Sequence, residues 1–423
     1  MMTRDTFPLP RLPGSYAWWV VGLLFPVAML NYLDRQMIAS MKMSVMRDIT
    51  DIGLEANWGY MLGQFKWVYA FLSPLGGYLA DRFSRRATIA GSLFAWSFVT
   101  WMTGQVTTYQ GLLWTRTLMG VSEAFYIPAA LALIADHHTG GTRSRAVGIH
   151  QMGIYFGVIL GGFGGFAADA GPTGWRVAFQ YIGLIGILYA FPLFWLVRDV
   201  APVAVPGIST ARPSPAASLR ALLSNPSFLL LVGYFTLPGL AGWVVRDWMP
   251  AILQQSFNIS QGVAGVSATL YWQAAAMGSA IGGGWLADRW IRRSPRGRIY
   301  VSALGMLCII PAIFGVGNST AIHSFALAVA SLVLFGIGWG FFDGNNMPIL
   351  CQIVGPELRA TGYGFMNLVA ISFGGFADWG FGWLRDRGTP LNVVFGVFAG
   401  FCVVALLMLM GIRPRESAPT EAR

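Results

Sequence analysis

Charged residues are scarce in this chain. Aspartate, glutamate, lysine and arginine account for 11% of its 423 residues, whereas an ordinary soluble domain carries about 25%. Hydrophobic residues account for 55%, and the mean hydropathy is +0.57. This composition excludes a soluble globular domain. It predicts an all-α integral membrane protein, because helices satisfy their own backbone hydrogen bonds in lipid.

Ligand-forming patterns are sparse as well. The three cysteines, Cys308, Cys351 and Cys402, have no paired spacing, so we expect neither a disulfide framework nor a metal site. The chain has no Gly-x4-Gly-Lys-Ser/Thr loop for nucleotides and no recognisable nucleophile or acid/base set. We therefore expect no enzymatic activity and no cofactor. A small-residue cleavage site is also missing after the first apolar run, so we expect no removed signal peptide.

Apolar stretches of about 20 residues, the length that crosses a bilayer, recur in two groups of six. The first group lies near 17–41, 58–80, 87–106, 110–135, 144–168 and 175–197. The second lies near 228–254, 263–287, 299–318, 324–350, 360–384 and 392–412. We expect twelve transmembrane helices in two six-helix bundles, 17–197 and 227–412. The Pro-, Ala- and Ser-rich stretch 198–226 reads as a linker, and 1–16 and 413–423 read as tails.

The net charge of +10 does not predict a nucleic-acid partner, because the arginines fall in alternate loops. Arginines follow spans two, four, eight, ten and twelve and occupy the linker, whereas the opposite loops hold few. By the positive-inside rule, both tails and the linker are cytoplasmic. We expect a monomer in the inner (plasma) membrane, whose partners are the lipid bilayer, protons and a small solute.

The two halves of the chain repeat each other. Gly77-Tyr-Leu-Ala-Asp-Arg-Phe-Ser-Arg-Arg ends span two, and Gly284-Trp-Leu-Ala-Asp-Arg-Trp-Ile-Arg-Arg ends span eight, 207 residues later. Gly120-Val-Ser-Glu-Ala-Phe-Tyr-Ile-Pro in span four likewise matches Gly340-Phe-Phe-Asp-Gly-Asn-Asn-Met-Pro in span ten. Two matches at similar offsets indicate parallel structural repeats.

On these residues the chain resembles the major facilitator superfamily over essentially its whole length, although Ser84 stands where that family usually has glycine. The loop charges at the helix ends predict a conformational latch that favours the outward-facing state. The latch residues are Gly77, Asp81, Arg82, Arg85, Arg86, Asp288 and Arg289.

Span one contains Asn31-Tyr-Leu-Asp34-Arg35, and span four contains Arg116 and Glu123. With Trp248-Met-Pro in span seven, these are similar to the anion:cation symporters, which include hexuronate, aldonate and sialin-type carriers. Spinster-type lipid carriers have a similar span-one motif and also a glutamate in span four. The first resemblance implies proton-coupled import of an organic anion by alternating access, with Asp34 and Glu123 as proton carriers. A lipid or lysolipid carrier, or a facilitator or exchanger of a polar solute, stays open as an alternative.

Arg116 and Glu123 share one face of an apolar helix, because seven residues make about two turns. Each charge costs roughly 2.5 to 3.5 kcal/mol at mid-membrane, so such a pair indicates a site for substrate or protons. A carboxyl that alternates between an apolar environment and an arginine can load a proton on one side and release it on the other. The alternative is a structural ion pair of Glu123 with Arg116 or Arg35.

Polar groups in several spans predict a hydrophilic cavity for a sugar acid. Lys66, among aromatics, either binds a carboxylate or extends to the surface. Asp343, opposite Glu123 in the repeat, suggests a second coupling site or a contact to hydroxyls, and a helix break is expected at Gly344. The predicted substrate-binding residues are Asn31, Arg35, Gln64, Lys66, Tyr69, Arg116, Tyr126, Gln151, Tyr155, Gln273, Asp343, Asn345, Asn346 and Asn367. Arg246, Asp247 and Asp378 receive no role.

Overall fold

The computed structural model describes residues 14–82, 84–138, 142–199 and 214–414, which form α-helices joined by short turns and contain no strand. The first half has α1 (Gly14–Ser40), α2 (Lys42–Asp48), α3 (Glu55–Arg82), α4 (Arg85–Thr103), α5 (Tyr109–Glu123), α6 (Tyr126–His137), α7 (Arg143–Gly162), α8 (Gly164–Asp169) and α9 (Gly174–Leu196). The second half has α10 (Pro215–Leu223), α11 (Pro226–Phe257), α12 (Gln261–Ile291), α13 (Gly297–Ala321), α14 (Phe325–Ile353), α15 (Arg359–Asp386) and α16 (Leu391–Gly411). Most of the predicted tails and linker lie outside the described residues.

The predicted membrane fold is confirmed, and each predicted span coincides with one of these helices or with an adjoining pair. Among the described residues, eight segments are long and apolar enough to cross a membrane by themselves, with α5 and α6 counted as one and α7 and α8 as another. The other four crossings, α3, α4, α12 and α15, are more polar. Three of them, α3, α12 and α15, pack against the opposite half, so their polar residues face protein rather than lipid.

The expected break in span ten is wrong, because α14 continues from Phe325 to Ile353. Glycine and asparagine disfavour a helix by only about 0.5 to 1 kcal/mol each, and the packing of buried Asn345 and Asn346 outweighs that cost. Asn345 also donates to the carbonyl of Phe341, one turn earlier, at 2.9 Å. The break occurs instead between α5 and α6, at Ala124, four residues before Pro128. Proline has no N–H to donate to the Ala124 carbonyl, and its ring clashes with that carbonyl.

Two pairs of crossings join the halves: α3 packs on α15, and α7 and α8 pack on α12. Glycines allow the first pair to touch through their backbones. A Cβ atom on Gly63 would lie 2.7 Å from the carbonyl oxygen of Gly375, well inside van der Waals contact. Glycines serve the second pair as well, since Gly162 and Gly165 face α12 in the same way.

The contacts between the halves identify a closed end. We call the end where α1 begins and α16 ends proximal, and the opposite end distal. Among the described residues, every hydrogen bond and ion pair between the halves lies on the distal side of the helices. The halves are therefore sealed distally, and the space between them opens toward the proximal end.

Candidate functional site

A small cavity lies between the halves, directly beneath the distal seal. Its volume is about 30 Å³, enough for a water or two and therefore for one small charged group. Its lining residues are Arg35, Ile38, Leu62, Phe65, Lys66, Arg116, Trp243, Arg246 and Asp247. Four of these are cations and one is a carboxylate, so the cavity is suited to an anion.

Arg35 is held in the cavity wall by a carboxylate and three aromatic rings. Its Nε donates to the carboxylate of Glu123, which is fully buried at the end of α5. Its guanidinium carbon lies 4.9 Å from the ring centre of Tyr32 and 4.8 Å from those of Phe65 and Tyr69. These contacts fix the guanidinium plane, because aromatic faces attract cations within about 6 Å.

Asp34 and Arg116 form a second polar layer behind Arg35. Thr100 Oγ1 donates to Asp34 Oδ2 at 2.9 Å, and Arg116 Nη2 donates to Thr103 Oγ1 at 3.0 Å. The second carboxylate oxygen of Asp34 and Nε of Arg116 have no hydrogen-bond partner among the described residues. Both side chains are buried, so each retains bonding capacity in a low-dielectric place.

The sequence left two partners open for Glu123, and the structure gives its ion pair to Arg35 of α1 rather than to Arg116 of its own helix. Arg116 instead lies within electrostatic range of both Asp34 and Glu123. Helix α5 therefore contributes a cation and a carboxylate that serve different partners.

Lys66 joins the two halves. Its Nζ contacts the carboxylates of Asp247 on α11 and Asp378 on α15, and it lies 4.2 Å from the ring centre of Trp243. Only 3% of Lys66 is exposed, so the predicted alternative of a lysine extending to the surface is not seen. Arg246 Nε lies 4.0 Å from Asp247 Oδ1, which completes a chain of two cations and two carboxylates.

Asp343 lies in the opening between the halves. Its side chain is exposed, and it lies within electrostatic range of Tyr155 on α7 and of Tyr234 and Tyr363 in its own half. Among the described residues it has no ion-pair partner. Tyr32 connects this region to the cavity, because it is near both Tyr155 and Tyr363 and also contacts Arg35 and Arg246.

The other predicted substrate residues divide between this opening and the helix packing. Gln151 lies beside Tyr155, and Asn367 lies beside Tyr363. Gln273 and Asn346 are buried. The remaining four all lie in the first half: Asn31, Gln64, Tyr69 and Tyr126. Of these, Tyr69 contacts Arg35, Gln64 donates to Thr117 Oγ1 at 2.6 Å, and the hydroxyl of Tyr126 lies 2.9 Å from His150 Nε2.

The predicted latch is described in part. The surroundings of Gly77 and the side chains of Asp81 and Arg82 lie outside what the structure describes. Arg85 pairs with Asp136 and donates to the carbonyl of Ala132 at 2.9 Å. The remaining latch residues also contact their own half: Arg86 lies over Phe194, Arg289 over Trp285, and Asp288 lies 3.7 Å from Arg298.

Two aspartates close the distal seal in the same way. Asp169, at the end of α8, accepts the backbone N–H of Gln261 at 3.2 Å and of the next residue at 2.8 Å. Asp386, at the end of α15, accepts the backbone N–H of Glu55 at 2.9 Å and of the next residue at 2.8 Å. Each carboxylate thus caps the first turn of a helix in the other half, where donors are otherwise unpaired.

Sequence reasoning assigned no role to Asp247 or Asp378 and overlooked Asp169 and Asp386. Asp169 and Asp386 did carry a signal in the sequence. Each ends a membrane crossing, a glycine follows two residues later, and the two crossings correspond in the repeat. For Asp247 and Asp378, the only signal in the sequence was their position within apolar spans. Nothing in the sequence indicates that both would meet the same lysine.

Fold and site together define a membrane carrier, in which two repeated halves enclose a charged cavity that is accessible from one end. Residues 24–377 match the sequence profile of the Major Facilitator Superfamily. The chain belongs to this family and is a multi-pass membrane transporter.

Curated relatives resemble the chain over most of its length. An MFS-type efflux pump of Mycolicibacterium smegmatis is 28% identical over 390 residues, which cover 91% of this chain and 88% of the relative. Protein spinster of Drosophila melanogaster is 26% identical, over 90% of this chain and 62% of its own length. Protein spinster homolog 1 of Bos taurus is 27% identical, over 86% of this chain and 73% of its own.

Solved structures show the same fold. A bacterial homolog of the human lysosomal transporter Spinster, in an inward-facing and occupied conformation, matches with a TM-score of 0.77 at 21% identity, over 94% of this chain and 97% of that one. A D-xylose–proton symporter matches with a TM-score of 0.74 at 17% identity, over 94% of this chain and 98% of that one. The anion:cation symporter subfamily is not distinguished by these likenesses.

Proposed function

We propose that this transporter is a proton-coupled symporter of the anion:cation type, which imports a small organic anion by alternating access. A sugar acid, such as a hexuronate, an aldonate or a sialic-acid-like compound, is the proposed class. The observation that supports this proposal is the cavity between the halves, lined by four cations and bordered by the buried carboxylates Asp34 and Glu123.

Coupling follows from competition for Arg35. An anion that enters the cavity offers Arg35 a second carboxylate, in place of Glu123. A buried carboxylate that loses its cation is strongly destabilised, by about 3 to 5 kcal/mol when one partner of a buried pair is removed. Glu123 then takes up a proton, which removes its charge. The proton and the anion are therefore bound together.

The orientation of the proposed cycle follows from the arginine-rich loops. By the positive-inside rule the proximal end faces the cytoplasm, and the distal seal faces outward. The arrangement described here is then inward-facing, in the inner membrane. Anion and proton would enter when the distal seal opens and leave when the halves return to the arrangement seen here.

A spinster-type carrier of a lysolipid is the second candidate. The similarity to spinster proteins over 86 to 90% of the chain supports it. The four cations would bind an anionic head group equally well. The mycobacterial relative named as an efflux pump supports the opposite direction of transport, so the assay must test both directions.

The test is uptake into proteoliposomes of radiolabelled sugar acids, a neutral sugar and a lysolipid, with an inward, an outward or no proton gradient. We expect an inward gradient to stimulate uptake of a sugar acid, and Glu123→Gln to abolish this stimulation while exchange of internal for external acid continues. Glu357→Gln, at an exposed glutamate outside the cavity, is the matched control. The proposal would be overturned if uptake did not depend on the proton gradient, or if only the neutral sugar or the lysolipid were taken up.

A further inference from the structure

A carboxylate without a basic partner faces the opening between the halves. Asp343 is exposed there, and no cation among the described residues forms an ion pair with it. Because Tyr155 belongs to the first half and Tyr363 to the second, Asp343 faces the space that the substrate crosses. A carboxylate with aromatic neighbours is suited to a cation, which gains from both the charge and the ring faces.

A second polar group accompanies it. Asn346 follows Asp343 by three residues on α14 and so lies on the same side of that helix. It is 1% exposed, and neither its amide oxygen nor its amide nitrogen has a hydrogen-bond partner among the described residues. A buried amide left unpaired is destabilising, and a ligand that supplied a donor and an acceptor would relieve that.

One ring, Tyr32, has neighbours in both charged regions. Tyr32 lies 4.9 Å from the guanidinium carbons of both Arg35 and Arg246, on the side of the cavity. It is also within electrostatic range of Tyr155 and Tyr363, on the side of Asp343. Tyr32 therefore lies between the cation-lined cavity and the tyrosines near Asp343, and the space between the halves is positive at its inner end and negative toward the opening.

We propose that the substrate is a zwitterion: an organic acid that also carries an ammonium group, with the anionic group on the cation-lined cavity and the ammonium on Asp343. This inference rests on the proposed function, because it assigns the anionic end to the same cavity. It makes Asp343 the residue that selects amino-substituted acids over their hydroxyl counterparts.

The test uses acids that differ in one group. Gluconate and 2-amino-2-deoxygluconate have the same carbon chain, and 6-amino-6-deoxygluconate places the ammonium farther from the carboxylate. Binding to the purified protein in nanodiscs is measured by titration calorimetry, without a proton gradient. We expect one of the two amino-substituted gluconates to bind about 10- to 100-fold more tightly than gluconate, the range for a hydrogen bond to a charged group.

Asp343→Asn should abolish this preference by weakening binding of the amino derivative much more than binding of gluconate, whereas Glu357→Gln should change neither. Retained gluconate binding also shows that the variant is folded. If both acids bind equally to the wild type, or if Asp343→Asn weakens both alike, the zwitterion proposal is wrong while anion transport stands. If no acid binds at all, the proposed function itself fails, and a zwitterionic lysolipid in the same titration tests the second candidate.

Discussion

The buried contact of Lys66 with Asp247 and Asp378 gives a direct prediction about the distal seal. Lys66 belongs to α3, and Asp378, fully buried, belongs to α15 of the other half. The helices must separate when the distal end opens, so this contact exists only while the seal is closed. Asp378→Asn should therefore destabilise the closed arrangement and favour the open one.

The free-energy effect of Asp378→Asn depends on the contacts that Lys66 retains in the variant. Removing the only partner of a buried charge costs about 3 to 5 kcal/mol, but Lys66 retains Asp247. A single charge-assisted hydrogen bond, about 1.5 to 3 kcal/mol, is the better measure. That shifts the open-to-closed ratio by about 10- to 150-fold. If about 1% of the wild type is open, roughly 10 to 60% of the variant will be.

The distance between spin labels at the distal end measures this ratio. Thr107 and Ala321 are exposed there, one in each half, and can be labelled as cysteines once the three native cysteines are replaced. Asp51→Asn is the matched control, because among the described residues Asp51 accepts a hydrogen bond from Tyr109, within its own half. A distance distribution unchanged in Asp378→Asn would refute the reasoning.

Two further predictions concern the same seal. Asp169→Asn and Asp386→Asn each weaken two backbone hydrogen bonds across the halves. By analogy with helix caps, each should destabilise the closed arrangement by about 0.5 to 2 kcal/mol. The double variant should lengthen the labelled distance more than either single variant. Gly63→Leu should hold the seal open and stop uptake, because its Cβ would meet the backbone of Gly375, whereas Gly91→Leu, into open space, should transport normally.

Each of these outcomes can fail in a recognisable way. If the double aspartate variant opens no more than the single variants, the two caps do not act on the same closure. If Gly63→Leu shows the short distance and normal uptake, the backbones of α3 and α15 are not as close in the membrane as the geometry requires.

The sequence was sufficient for the fold because hydrophobic length and loop charge are local signals. The predicted span 392–412 corresponds to α16, Leu391–Gly411, and 144–168 to α7 and α8. Local signals also placed the charges of α1 and α5 in the interior. The break expected in α14 failed because it was inferred from local propensity, which tertiary packing overrides.

The pairings could not be predicted, because they join residues far apart in the chain. Lys66 lies 181 residues from Asp247 and 312 from Asp378. Spacing along one helix says nothing about which carboxylate of another half approaches a lysine. The same limit applied to Glu123, whose partner is on α1 although a cation on its own helix was the nearer choice in sequence.

The charges around the cavity constrain how transport is coupled. The described residues there comprise four cations and four carboxylates: Arg35, Lys66, Arg116 and Arg246, with Asp34, Glu123, Asp247 and Asp378. With all eight ionised the group is neutral, so a bound anion leaves one excess negative charge in a low-dielectric place, and one proton removes it. Under the proposed symport, an amino-substituted acid would bring its own cation to Asp343, outside this group, and would still require the proton. Uptake of a plain monoanion is then electroneutral, whereas uptake of a zwitterion moves one positive charge, and the current across a supported membrane distinguishes the two.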